Sequence, residues 1–344
     1  MPRSGARQRT RAKLIWEMSV EIRWGVFFWG PMTDQAQEQV ILDQPCAFKY
    51  VYAPEGAINP HYIVCGPDGW HLFYDCMDDW TIIHHATSGD LLSWTRQEPV
   101  LRTGSAGEWD EGELIVSSII KHQRRWYMFC TGRPTPQSGR RIGIKVSDDL
   151  WTWRSFPDDG SAVFTPKPGW SGWHDDAGAQ WCKDPHVIRH EDCFLFHYAT
   201  RNRHGQSCVA VATSEDLLHW EDGGPVVTTD WMPNDHIGPA GFEVPRVIEY
   251  GGRFYLFALH FFGCQFAIGH TPFSFGEPIV MGPWHASTFF ETDAGWIISH
   301  VAQLPGMSGF RGGRRKPYRG LFLAGLDWSS GYPFVTDLRN VLES

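Results

Sequence analysis

No two cysteines stand three residues apart, and the eight that occur (46, 65, 76, 130, 182, 193, 208 and 264) are scattered along the 344 residues. The spacing excludes a Cys-x-x-Cys redox or zinc motif and indicates no disulfide framework. Several sit in apolar runs such as Trp126-Tyr127-Met128-Phe129-Cys130, where a thiol packs as a small hydrophobe; a reducing cytoplasm suits this usage. No run approaches the roughly 18 apolar residues that span a bilayer. Charge is sparse at 20%, and its balance of −9 excludes non-specific attraction to nucleic acid or to an anionic membrane. Acids are missing from the first 13 residues, which carry Arg3, Arg7, Arg9, Arg11 and Lys13. A secretory signal would continue into a long apolar core, but Leu14-Ile15-Trp16 stops at Glu17. Residues 1–18 therefore read as a disordered basic tail, or as an upstream start ahead of Met18.

Aromatic residues, in contrast, are abundant: 18 Trp, 22 Phe and 10 Tyr, set among 36 Gly and 23 Pro. Short aromatic runs punctuated by Gly and Pro read as strands and turns. They also repeat. Asp90-Leu91-Leu92-Ser93-Trp94 returns as Asp149-Leu150-Trp151-Thr152-Trp153 and as Asp216-Leu217-Leu218-His219-Trp220. An aromatic strand entered through a polar turn occurs five times, at Trp70–Tyr74, Trp126–Phe129, Phe194–Tyr198, Phe254–Phe257 and Trp296–Ile298. Such spacing fits blades of four strands. It predicts an all-β, five-bladed β-propeller over residues 19–344, with blades beginning near Ile58, Leu114, Asp184, Glu243 and His285. Residues 19–55 are expected to add a strand that closes the ring or packs along its rim. A β-sandwich with long loops is the rival, and the repeat argues against it.

In a propeller the inner strands converge on the axis, and their first residues line one funnel. Those positions hold Asn59-Pro60-His61, Asp184-Pro185-His186, Glu243-Val244-Pro245-Arg246 and His285-Ala286-Ser287. Two carboxylates a blade apart, facing an imidazole, suit acid–base work on a sugar ring. Each residue also has a plainer reading. Asp before Pro is a common turn residue, Glu243 would pair with Arg246 on the rim, and His285 would be a satisfied core histidine. Trp109, Trp173, Trp181 and Trp231 are expected at the funnel rim as exposed stacking surfaces for sugar C–H faces. His61, Glu113, His186, Arg246 and His285 complete the expected substrate-binding set.

The order Asn59-Pro60, Asp184-Pro185, Glu243-Val244-Pro245 and Gly282-Pro283-Trp284-His285-Ala286-Ser287 resembles the five-bladed glycoside hydrolases of families 43 and 32. The resemblance covers roughly residues 50–340. Arg141–Trp153 resembles a family 32 blade, and Arg319–Pro333 the last strands of family 43. It implies Glu243 as general acid and Asp184 as the carboxylate that orients substrate and tunes the acid. It also implies a small sugar or glycoside as partner and no cofactor beyond a weakly held central cation near His285.

The pattern breaks at Asn59, where such enzymes carry an Asp. An amide cannot act as general base or carboxylate nucleophile. Three accounts follow. Another carboxylate supplies the base, with Asp75 first and Glu113 second; or the fold serves binding or non-hydrolytic chemistry, such as a cyclase or isomerase using Glu243 and His285; or Asn59 is an engineered change. No C-terminal sandwich of the family 32 kind is expected within these residues, the Trp-Met-Asn-Asp-Pro signature does not occur in them, and Lys183 stands where an Arg would precede Asp184.

Overall fold

The repeated Asp-Leu-x-x-Trp segment is a wedge between blades. Asp90 Oδ1 accepts the backbone N–H groups of Leu92 and Ser93 at 2.8 and 2.7 Å, and Asp149 and Asp216 repeat the arrangement. In each copy the Trp indole N–H donates to the carbonyl of the Leu three residues earlier. This tight turn places Leu91, Leu150 and Leu217 in the left-handed region, at φ of 65, 69 and 66°. Packing into the core of the preceding blade offsets the strain. Leu150 packs with Phe73 and Ile83, Leu217 with Phe129 and Ile144, and Leu91 with Phe290 and Ile297.

The computed structural model describes residues 48–54, 56–175, 181–229, 241–260, 263–311 and 314–342. Five antiparallel sheets follow one another along the chain. Their inner strands are Ile58–Gly66, Glu113–His122, Cys182–His190, Glu243–Tyr250 and His285–Thr292. Strands then succeed one another outward within each sheet, as in Cys193–Arg201, Ser207–Ser214 and Glu221–Thr228 of blade three. The ring closes where Lys49–Tyr52 pairs with Arg314–Asp327 of blade five. The expected five-bladed propeller is thus observed, with the closing strand inside the expected segment. Residues 1–47, including the basic tail, lie outside the described residues.

Four inner strands share one irregularity. Register shifts between Ile58 and His61, Lys183 and His186, Glu243 and Arg246, and His285 and Thr288, so two residues bulge against one on the neighbouring strand. The bulges are Asn59-Pro60, Asp184-Pro185, Val244-Pro245 and Ala286-Ser287, and blade two has a shorter one at Ser117. Bulges re-aim side chains and strengthen twist. Here they put a polar side chain just after the bulge in every blade: His61, Ser118, His186, Arg246 and Thr288, all buried.

These five residues form a belt around the axis. Ser118 Oγ donates to the Pro185 carbonyl at 2.7 Å and accepts the Val187 N–H. The Val247 N–H donates to His186 Nδ1 at 3.0 Å. Arg246 Nε donates to Thr288 Oγ1, and Thr288 donates in turn to the His61 carbonyl. His61 Nε2 meets Ser299 Oγ at 2.7 Å, and the Val116 N–H donates to Asp75 Oδ2 at 2.8 Å. Every blade is thereby tied to the next.

Burial keeps the belt's imidazoles neutral. It pulls His61 down to about 3, with the Arg246 charge adding to the effect. Burial also brings His197 and His300 down to about 4. Between pH 6.5 and about 4 the unfolded chain therefore takes up protons that the folded chain refuses. Stability falls with pH there by roughly 1.4 kcal/mol per unit per histidine. Buried Asp75 and Asp110, whose carboxyls burial pushes up, have the opposite sign but are two groups against several histidines. Urea unfolding should show stability nearly flat from pH 7 to 8.5 and falling steeply from 6.5 to 4.5; a flat profile down to 4.5 contradicts neutral burial of these rings.

Candidate active site

The residues expected at the funnel stand at the starts of the inner strands. The bulge register aligns them: Ile58, Lys183, Glu243 and His285 are equivalent, and the next residues, Asn59, Asp184, Val244 and Ala286, are equivalent in turn. Asp184 and Glu243 are therefore offset by one position rather than matched, a correction to the sequence reading. Their partner is Lys183. Its ammonium lies 2.6 Å from Glu243 Oε1 and 3.4 Å from Asp184 Oδ2, so one cation brings both carboxylates together. Burial works against the charge on Lys183, but Asp184 and Glu243 outweigh it and raise its pKa.

Asp184 is built into the wall. Its Oδ2 accepts the Val244 N–H at 3.1 Å, and its own N–H donates to Thr131 Oγ1 at 2.9 Å. Its φ of 57° is unusual for a residue other than glycine, as are the 50° values of Val244 and Ala286. Such strain costs about 1–2 kcal/mol at each position and persists where surrounding contacts enforce it. Glu243 is only partly buried, as a group that meets a ligand must be. It pairs with Lys183, not with Arg246 as the plainer reading held.

His285 is partly exposed and lies within electrostatic reach of Glu243, Asp184 and Lys183. Burial, and then the Arg319 charge, lowers it to about 4. The expected cation near it meets an unfavourable setting, because Lys183 and Arg319 already bring positive charge. Among the described residues no cluster of three acidic, histidine or cysteine side chains suits a metal ion.

Glu113 is held by two arginines. Arg140 Nε and Nη2 reach its two oxygens at 2.5 and 3.1 Å, and Arg133 Nη2 reaches Oε2 at 2.8 Å. A carboxylate so engaged is poorly placed to serve as a base. Arg140 is also within electrostatic reach of Asp184 and Glu243. Lys183 and Arg140 are cations of this cluster that sequence reasoning did not name. Lys183 carried a signal, standing directly before Asp184; Arg140 carried none, because it reaches Glu113 from 27 residues away.

Several expectations need correction. Asp75 is sealed in the core, and burial raises its carboxyl well above the usual range, with Glu113 and Asp184 adding to the effect. It is a buried staple to Val116 and not an exposed base. His61, His186 and Arg246 lie in the belt, buried and engaged with neighbouring blades, instead of at the funnel surface. Trp109 and Trp181 are buried too, not exposed at a rim. Gly132 and Gly143 leave just enough room for the Trp109 ring. Trp181 lies between Lys183 and Arg201, each 4.5 Å from its ring, and so backs the site cation. Trp173 is half-buried and donates its indole N–H to the Arg140 carbonyl at 2.6 Å. Trp231 lies outside the described residues.

The Asp75 correction is testable. Asp75→Asn keeps an oxygen for the Val116 N–H and should unfold within about 1 kcal/mol of the wild type, whereas Asp75→Ala leaves that donor unsatisfied and should cost about 1–3 kcal/mol. Equal losses in chemical denaturation would show that the staple contributes nothing.

The five-bladed propeller is the architecture seen in glycoside hydrolase structures of families 32 and 43. Residues 53–245 match the glycosyl hydrolases family 32 N-terminal domain, more than half of the chain, and the chain belongs to that family. It is 28% identical over 189 residues to a probable sucrose-6-phosphate hydrolase of Psychromonas ingrahamii. That match covers 51% of this chain but 32% of the relative, so the chain spans well under two thirds of that protein. Among solved structures, fructan 1-exohydrolase IIa from Cichorium intybus superposes with a TM-score of 0.66 at 17% identity, covering 86% of this chain and 61% of that one. Sucrose-6-phosphate hydrolase from Lactobacillus gasseri gives 0.64 at 16% identity, covering 90% and 67%. A thermostable family-43 glycoside hydrolase gives 0.60 at 16%, covering 83% and 96%.

Proposed function

We propose that the chain is a glycosidase-like protein that takes a small glycoside into the funnel, with Glu243 as proton donor and Asp184 as stabilising carboxylate. The observation that carries the reading is the Lys183 ammonium, which gathers Glu243 and Asp184 into one site at the strand starts. Family membership supports glycoside chemistry. The names of the relatives make sucrose and sucrose 6-phosphate the first substrates to try. Asn59, the bulge equivalent of Asp184, is partly exposed and offers the sugar an amide.

A second reading has its own support. Neither expected substitute is a free carboxylate: Asp75 is sealed and Glu113 is bound by two arginines. Glu243, for its part, is engaged by Lys183 at 2.6 Å. These features favour sugar binding or non-hydrolytic proton transfer over cleavage by the usual two-carboxylate route.

One substitution separates the readings. Asn59→Asp places a carboxylate, nearly isosteric with the amide, where the fold has room for one. On the hydrolase reading sucrose cleavage should rise by about 10²- to 10⁴-fold, the usual worth of acid–base assistance, and Glu243→Gln should abolish the gain. Loss of sugar binding or of an existing activity in Asn59→Asp, measured by calorimetry and product analysis, would instead make Asn59 a working donor and favour the second reading.

A further inference from the structure

At the end of the channel remote from Glu243, all five inner strands enclose a cavity of about 530 Å³. Its walls are mostly apolar, with Ile63, Ile119, Ile188, Trp70, Trp126 and Phe290 among them, while Arg189, Glu249 and Glu291 also line it. Its inner end is lined by Arg246. That side chain is 1% exposed. Nη1 donates to the Pro245 carbonyl at 2.9 Å, Nε donates to Thr288 Oγ1 at 3.3 Å, and the guanidinium lies 5.7 Å from the Tyr62 ring. Nη2 has no partner among the described residues, and no described carboxylate forms an ion pair with Arg246.

Asp184 acts on Arg246 only at a distance, and a buried guanidinium without an ion-pair partner is unfavourable, with an unsatisfied donor adding to the cost. Burial lowers Arg246 only to about 10, so it remains cationic at neutral pH. A carboxylate matches guanidinium geometry with paired hydrogen bonds. The walls require the rest of such a ligand to be hydrocarbon or aromatic. At the open end Glu249 and Glu291 oppose a single Arg189, which disfavours dianions such as phosphate. The volume suits a small organic molecule.

We propose that this cavity is a second ligand site, distinct from the sugar funnel, that binds a small monocarboxylate with an apolar body anchored on Arg246. The test is calorimetric titration of the full chain with phenylacetate, its neutral isostere phenylacetamide, and inorganic phosphate. Phenylacetate should bind saturably, and the other two at least about ten-fold more weakly, as expected for loss of a charged hydrogen bond. Arg246→Met should weaken phenylacetate by a similar factor. Ile188→Trp, which fills the cavity from its wall and leaves Arg246 in place, should do the same; it carries the test if Arg246→Met does not fold. Glu243→Gln should leave phenylacetate binding intact, separating the site from the funnel. Absence of saturable phenylacetate binding, equal binding of the amide, or undiminished binding to Ile188→Trp would overturn the proposal.

Discussion

The belt of hydrogen bonds that ties each inner strand to the next is the constraint on which the rest depends. A propeller's inner strands meet without pairing to one another, so their backbone groups near the axis need side-chain partners. Asp75 supplies one for blade two, Ser118 for blade three, and Asp184 and His186 for blade four. Arg246 and Thr288 continue the connection through blade five to blade one. The shared bulge makes this feasible, because the extra residue aims the following side chain at the next blade. It also divides the channel in two, with a charged funnel before the belt and an apolar cavity after it.

The same device explains how a structural residue and a functional one stand side by side. Asp184 accepts a hydrogen bond from blade four and at the same time faces Lys183, so its orientation is fixed by the fold before any ligand arrives. Pre-positioned charge of this kind requires little reorganisation when a ligand binds. Trp181 beneath Lys183 and the two arginines on Glu113 extend the ordering outward. The site therefore combines rigid charges with one conspicuous neutral member, Asn59. On the proposed reading, whether the ensemble cleaves a sugar or only holds it turns on that residue.

Much of this was legible in the sequence. The Asp-Leu-x-x-Trp repeats and the aromatic strands report local turn chemistry and strand periodicity, which need no long-range knowledge, and they gave the blade count. Asp184, Glu243 and His285 were legible because strand starts in a repeat map to one place. The misses have a common physical origin. Which residue faces the funnel depends on the bulge register, and a two-residue bulge is silent in a hydrophobicity pattern. Thus His61, His186 and Arg246 were assigned to the funnel surface, although the bulge sends them into the belt. Asp75 looked accessible because alternation alone does not reveal that Val116 covers it. Arg140 could not be anticipated, since its partnership with Glu113 arises from a loop crossing between strands. For tryptophan, abundance suggested exposed stacking surfaces, but at Trp109 and Trp181 cations and glycines enclose the rings.

The central claim is that a glycoside binds among Asn59, Asp184, Lys183 and Glu243. A crystal structure of the E243Q variant soaked with sucrose addresses it directly, since loss of the proton donor should leave the sugar uncleaved. The expected result is sugar density at the starts of the inner strands, in hydrogen-bond contact with Asp184 and Asn59. Sugar density seated only elsewhere on the propeller, with these side chains untouched, would contradict it.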